Sequence, residues 1–460
     1  MRCTTFLALG SLSLVVACGN EGTTTASSSS ASASSSDAGS GSVTSGSGST
    51  NASSAATGGA GSTSSADASS SAASGTGGGG GSPPMGSPFV SVDPTAPRFL
   101  LNGAPFYFAG TSHWVVANLE NQGAVCSPTS SCAIAQLDGM VASGVKVLRM
   151  PAHRDCTSNQ PGNGCIQVGP NVYNEPALVV MDWVLSEAAT RGLHVVLLLG
   201  DNWQDWGGVE QLVRWTVPQN DWYHDRFYTA AATKDLYKQN VANLLNRVNT
   251  ITGVAYKDDP TIMSWELLNE ARCQGINMST SAACSTTMIR DWAAEMVAYV
   301  KQLDPNHMVA LGDEGFVDLA NGPYPNIPSS WFSNGSTGDF KKYLSIPGID
   351  YGGAKWYPTQ WSVAASAGAG WITDHAAVSA SLGKPFVLTE YAFPRAGRAA
   401  AFAPWHAAAL SSDTAGTLVD NVTADPFPDY DGFGVLYPGD ANDQEVRALL
   451  LAQSAAMAAK

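Results

Sequence analysis

From residue 106 onward, short runs of β-branched and apolar residues alternate with stretches of helical periodicity, and the alternation recurs eight times. The strand candidates are 106–112, 145–151, 194–200, 262–268, 308–314, 351–357, 386–391 and a poorer one at 416–421. Helices of ordinary length fit between them. The clearest is predicted over 175–191, where Pro176 lies in the first turn, Leu178, Met181, Leu185 and Ala188 share a face, and Gly192 is the stop. Another places Leu236, Val241, Leu244 and Val248 on one stripe. Strands that each hand over to a helix pair in parallel, since a parallel neighbour is reached only by a crossover of helix length. Eight such units point to an α/β fold of the closed (β/α)8, or TIM, barrel class. A doubly wound open sheet is the alternative, but its phosphate-binding fingerprint is missing. The G-x-G-x-x-G spacing at Gly75, Gly77 and Gly80 follows no strand candidate.

The barrel is preceded by sequence that cannot fold on its own account. Residues 19–88 are almost entirely Ser, Gly, Ala and Thr, with Glu21, Asp37 and Asp67 as the ionisable side chains and no aromatic residue. Such a tract buries too little apolar surface to offset its ordering entropy, and is expected to be a disordered tether of roughly 45 Å reach. Ahead of it, Arg2 and the apolar stretch from Phe6 to Ala17 have signal-peptide proportions, too short to span a bilayer. Val15-Val16-Ala17-Cys18 resembles a bacterial lipobox, which implies cleavage and lipidation at Cys18. An ordinary signal peptide with Cys18 incidental is the competing reading. The expected organisation is therefore 1–18 as a lipoprotein-type signal, 19–88 as linker and 89–460 as one catalytic domain. It would be exported and held at a bacterial cell surface or outer membrane, or released.

Cysteine usage agrees with export. Cys126 and Cys132, Cys156 and Cys165, and Cys273 and Cys284 are each close in sequence and far from the other pairs, so three loop-stapling disulfides are expected. A zinc site is disfavoured because no C-x-x-C occurs and the seven His show no ligand spacing. No metal or cofactor is expected, and the chain is expected to be a monomer. With 38 acidic against 23 basic residues the formal charge is −15, so no nucleic-acid partner is expected, since phosphate binding rests on clustered cations.

The long connections 113–132, 152–174, 201–226, 271–285 and 315–347 all follow a strand and precede a helix, and they hold all three Cys pairs. In a barrel they gather at the strand C-termini, where active sites sit. That face also collects Trp114, Trp203, Trp206, Trp215, Trp222 and Trp356. Any one is more often loop packing than a ligand contact, but several together suit a sugar platform, because indoles stack on the apolar faces of pyranoses. Strand four ends in Leu268-Asn269-Glu270 and strand seven in Leu388-Thr389-Glu390. These strands lie across the interior, so the two carboxyls can converge, as glycoside hydrolysis requires of its acid and its nucleophile. A strand-end Glu alone more often forms an ion pair, and Glu314 is a third example. Glu266, one layer deeper, is expected to pair with Arg149.

At these residues the chain resembles a known family. The stretch SWELLNEARC is similar to the acid/base strand of clan A glycoside hydrolases, specifically the endo-β-1,4-mannanases of glycoside hydrolase family 5. FAGTSHW, VLRM, DNWQDWGG, FYTAAATKDLYKQN, LGDEGF and LTEYAFP extend the likeness over most of 99–440. The resemblance implies Glu270 as general acid/base and Glu390 as nucleophile. It implies Asn269 on the sugar 2-hydroxyl, Arg149 keeping Glu390 ionised, and Tyr357 donating to its carboxylate; from the Trp-rich face, Trp114, Trp203 and Trp356 are expected among the sugar contacts. Two departures stand out: Lys355 replaces the usual His two residues before the strand-six Tyr, and the end of strand eight, AGTLVDNV, lacks the usual Trp. Lys355 is expected to face the nucleophile, with a snorkelling Lys as the alternative, and Trp356, Trp405 or Tyr437 to cover the missing ring. The function implied is retaining, endo-acting cleavage of β-1,4-mannosidic bonds in mannan, galactomannan or glucomannan. Another β-glycanase specificity, or a barrel that binds polysaccharide without cleaving it, stays open at this point.

Overall fold

The structure is a computed structural model that describes residues 87–114, 130–156, 164–275, 277–317, 339–425, 429 and 431–460. Residues 1–86, with Cys18, and 115–129, with Cys126, lie outside the described residues. Eight parallel strands form one sheet: β1 Phe108–Ser112, β2 Val147–Pro151, β3 His194–Leu198, β4 Ile262–Glu266, β5 Met308–Ala310, β6 Gly352–Trp356, β7 Phe386–Tyr391 and β8 Thr414–Asp420. Their order is β5-β4-β3-β2-β1-β8-β7-β6, so first and last strands are neighbours, with Gly416 opposite Phe108. The seam between β5 and β6 is closed by single bonds rather than a ladder. Asp350 N–H donates to Val309 O at 2.8 Å and Lys355 N–H to Glu314 O at 3.0 Å.

Helices follow the strands in turn: α1 Ser131–Ala142, α2 Glu175–Thr190, α3 Ala231–Leu245, α4 Thr286–Leu303, α5 Phe340–Leu344, α6 Gly368–Ser381, α7 Arg398–Ser411 and α8 Ala441–Ala458. In α2 the face Leu178, Met181, Leu185 and Ala188 is buried against the barrel, and Gly192 at φ +65° reverses the chain after it. None of the helices among the described residues is long and apolar enough to cross a membrane.

Of the eight expected strands only 386–391 keeps both its ends, most of the others shifting by one or two residues, and three differences have a clear physical cause. The first strand begins at Phe108, because Ala104–Phe106 pairs antiparallel with Phe99–Leu101 in a separate small sheet. This sheet plugs the lower mouth of the barrel, where Val90 and Phe99 join Phe108, Val147 and Tyr351 in one apolar cluster. The fifth ladder stops at Ala310, since Gly312 and Gly315, both at φ +92°, leave the extended conformation. Finally, α3 ends at Leu245, so Val248 is no part of its buried stripe and lies 55 % exposed in the following turn.

Candidate active site

The end of β4 is pinned between its neighbours. Asn269 N–H donates to Gly200 O at 2.9 Å and Glu270 N–H to Gly312 O at 2.8 Å, beyond β3 and β5 respectively. These bonds hold Glu270 at φ +53°, in the left-handed region where a non-glycine residue is uncommon. The strained turn delivers its carboxylate to the mouth of the barrel.

Glu390 reaches the same space by a different device. The register pairs Ala354 with Leu388 but Lys355 with Glu390, so Thr389 is an extra residue in β7. Val387 faces the barrel interior, and strict alternation from it would turn Glu390 outward. The bulge reverses that parity and sets Glu390 beside Lys355.

Lys355 Nζ then lies between the two carboxylates, 2.6 Å from Glu270 Oε1 and 2.8 Å from Glu390 Oε1, and donates a third bond to Asn269 Oδ1 at 2.7 Å. Two oxygens bonded to one nitrogen are at most about 5.4 Å apart, the two bonds laid end to end. All four side chains are buried. Glu390 is further gripped by Arg149 Nη1, and Tyr357 Oη lies 2.5 Å from its Oε2. Burial works to raise the Glu390 pKa, but the Lys355 ammonium and the Arg149 guanidinium overcome it and hold the carboxyl at about 2. Reciprocally, burial opposes the Lys355 charge while Glu270 and Glu390 favour it, and the ammonium is raised above its ordinary value.

The layer beneath matches the expectations and adds to them. Arg149 Nε donates to Glu266 Oε2 at 2.8 Å, as the deeper carboxylate was expected to require, and its Nη2 to Asn269 Oδ1 at 3.0 Å. Asn269 accepts from these two cations through its oxygen, so its amide nitrogen is fixed toward Asp201 Oδ1 at 3.0 Å, leaving one N–H for a ligand. On the other carboxylate oxygen, Trp203 Nε1 donates to Glu270 Oε2 at 2.6 Å. The Arg272 guanidinium stacks 5.1 Å from the Trp203 ring and grips Glu314, with 2.7 Å from Nε to Oε2.

Asp201, Arg272, Glu314 and Asp420 were not singled out as site residues by sequence. All four lie in the strand-end stretches DNWQDWGG, SWELLNEARC, LGDEGF and AGTLVDNV, so their position was a signal and only their partners were not. Burial raises Asp201 to about 7.

The aromatic expectations need correction. Trp356 is 0 % exposed and packs outside the barrel against Trp371 at 5.4 Å and Trp405 at 6.3 Å, because it alternates with the inward Lys355. It is a core residue with no exposed surface to offer a sugar. Trp405 is equally buried, and Tyr437 lies over α1 and α8, with Arg447 stacked 4.4 Å from its ring. Among the described residues after β8, Phe433 packs beside the site, 5.9 Å from the Tyr357 ring. Trp114 stays partly exposed beside Trp206, with centroids 5.5 Å apart, and the Arg154 guanidinium covers Trp206 at 4.5 Å. Disulfides join Cys156 to Cys165 and Cys273 to Cys284. Cys132 is disulfide-bonded, while Cys126 lies outside the described residues.

A (β/α)8 barrel with two buried carboxylates facing each other from the ends of β4 and β7 is the architecture of a barrel glycoside hydrolase. Comparison with known proteins narrows the class. Residues 87–425 match the family described as GH family 5 beta-mannosidase-like. A putative mannan endo-1,4-beta-mannosidase 9 of Oryza sativa subsp. japonica is 36 % identical over 310 residues, 64 % of this chain and 69 % of that one. Mannan endo-1,4-beta-mannosidase F of Aspergillus fumigatus is 33 % identical over 73 % of this chain and 71 % of its own. The crystal structure of an endo-1,4-beta-mannanase from Rhizomucor miehei superposes with a TM-score of 0.70 at 32 % identity, covering 81 % of this chain and all of that one. The chain belongs to glycoside hydrolase family 5.

Proposed function

We propose that the protein hydrolyses β-1,4-mannosidic bonds within mannan-type polysaccharides, with retention of configuration at the anomeric carbon. The observation that carries the mechanism is the single ammonium bonded to both carboxylates. Its reach keeps the near oxygens within the roughly 5–5.5 Å of retaining enzymes, short of the roughly 6.5–9.5 Å that inversion needs for its water. Glu390, held as an anion by Lys355 and Arg149, attacks the anomeric carbon while Glu270 gives a proton to the departing glycosidic oxygen. A covalent glycosyl ester forms on Glu390. Glu270 then takes a proton from water, which attacks the same carbon and frees Glu390. Asn269, locked by the two cations, keeps one N–H for the sugar 2-hydroxyl.

Endo-acting mannan cleavage is the activity in the names of the relatives above, which supports mannan as substrate. Lys355 and the missing Trp at the end of β8 depart from the family pattern beside the nucleophile, and the second reading is a β-glycanase of another specificity, glucan or glucomannan. Reducing ends released from galactomannan, glucomannan, cellulose and xylan by the 89–460 domain distinguish them. Galactomannan is expected to be cut at least as fast as any other, and cellulose cut faster would replace mannan as the substrate. The lipobox-like Val15–Cys18 sequence and the tether support export with a lipid anchor at Cys18. Cys18→Ser is expected to move the protein from the membrane fraction to the medium.

A further inference from the structure

Tyr357 offers one hydroxyl to two carboxyl groups. Its oxygen lies 2.5 Å from Glu390 Oε2 and 2.7 Å from Asp420 Oδ2, and all three side chains are buried. A phenol has a single proton and donates a single hydrogen bond, although its oxygen also accepts. It cannot donate to two ionised carboxylates at once, so one contact must run from a carboxylic acid to the phenol oxygen. The surroundings decide which carboxyl keeps the proton. Glu390 is bonded to Lys355 and Arg149, whereas Asp420 forms no ion pair among the described residues. The charged and titratable groups facing Asp420 are Lys355 from β6 and Tyr357 just after it, Glu390 from β7, and Asp431, itself bonded to Asp429, from the segment after β8. Burial first, then Asp431 and Glu390, raises the Asp420 pKa well above the usual carboxylate range.

We propose that Asp420 is a positioning residue acting as a neutral carboxylic acid: its O–H donates to Tyr357, which leaves the phenol proton directed at Glu390 alone. The inference rests on the reading of Glu390 as nucleophile. Asp420 ends β8, where the family resemblance leads one to expect an aromatic ring, so this chain has a hydrogen-bond chain at that place. The chain Asp420 O–H to Tyr357 O–H to Glu390 fixes the donor before reaction, with no reorganisation as charge on Glu390 falls in the ester and returns. As pH rises, an ionised Asp420 would compete for the Tyr357 proton and place a second negative charge beside the nucleophile.

The test compares Asp420→Asn, which keeps a neutral donor, with Asp420→Leu, which has none. The substrate is a dinitrophenyl glycoside, whose leaving group needs no proton, so the alkaline limb of kcat/KM no longer reports the acid/base. Asp420→Leu is expected to lose about 10–100-fold in kcat with KM little changed, and Asp420→Asn several-fold less. The alkaline limb of the wild type is expected to vanish or move upward in Asp420→Asn. An infrared difference spectrum at neutral pH, which needs no activity, is expected to show a carboxylic-acid C=O band in the wild type that Asp420→Asn lacks. No such band, or superimposable pH profiles in an active enzyme, overturns the role of Asp420 and leaves Glu390 as nucleophile untouched. Full activity of Glu390→Ala would remove the underlying reading, and this inference with it.

Discussion

A lysine at position 355 changes how the two carboxylates are held. Its ammonium stays charged across the pH range in which a histidine would lose its proton, and it touches Glu270, Glu390 and Asn269 together. Lys355→Ala is expected to lower kcat about 10²–10³-fold with little change in KM, because the cation acts on charge that moves in the transition state. The same variant bears on pH. A carboxylate held at about 2 remains ionised above that pH and is lost only as pH falls through it, so Glu390 puts no acid limb into the range from about 4 upward. Without Lys355 the Glu390 pKa rises, and the acid limb of kcat/KM is expected to move up; an unmoved limb with full kcat would leave Lys355 without a role. The division of labour between the carboxylates has its own signature. Glu390→Ala is expected to abolish turnover, whereas azide rescues Glu270→Ala on an activated aryl glycoside and yields a β-azide, since azide needs no base and a good leaving group no acid. Either variant working normally on polysaccharide would contradict the assignment.

Elements bring these residues together by means that differ in how far sequence reveals them. Alternation of apolar runs with helical periodicity was enough for eight strands, because hydrophobic pattern is local. The strand-four carboxylate was legible for the same reason. The bulge at Thr389 was not: counting alternation from Val387 would turn Glu390 outward, and the extra residue shows only in its pairing with β6. Trp356 was misread by a related cause, since being next to an inward Lys places it in the core outside the barrel. Asp420 and Arg272 act through partners on other strands, and one sequence carries no such pairing. The Cys273 to Cys284 link staples the connection after β4 that carries Arg272. Replacing both by Ser is expected to cost about 2–3 kcal/mol on the chain-entropy account and to raise KM as that face loosens. Thermal melts and steady-state kinetics on galactomannan read the two effects. Peptide mapping of the unreduced protein should recover 156 linked to 165 and 273 linked to 284, and a link between those loops would refute the pairing.

At the scale of the molecule, every side chain named in the site belongs to the barrel, and none lies in the Ser/Gly-rich segment before it. Removing residues 1–88 is therefore expected to leave kcat and KM on soluble galactomannan within about twofold, because the site is assembled wholly from strand ends and connections after residue 100. A tenfold loss would mean that the N-terminal segment takes part in the site. The charge excess of the chain belongs to this scale too: an acidic surface repels anionic polymers and suits a neutral polysaccharide. The central claim is that Glu390 forms a covalent bond to the sugar while Glu270 faces it. Inactivation with a 2-deoxy-2-fluoro-β-mannosyl fluoride, followed by peptide mass mapping, tests it most directly, because the 2-fluorine slows both formation and breakdown of the ester while the fluoride leaving group restores formation alone, so the ester accumulates. The account expects one fluoromannosyl group per chain, on the peptide containing Glu390 and absent from Glu390→Gln. A label on Glu270 or elsewhere, or unlabelled protein that still releases the α-anomer of the product from a β-linked substrate, would contradict it.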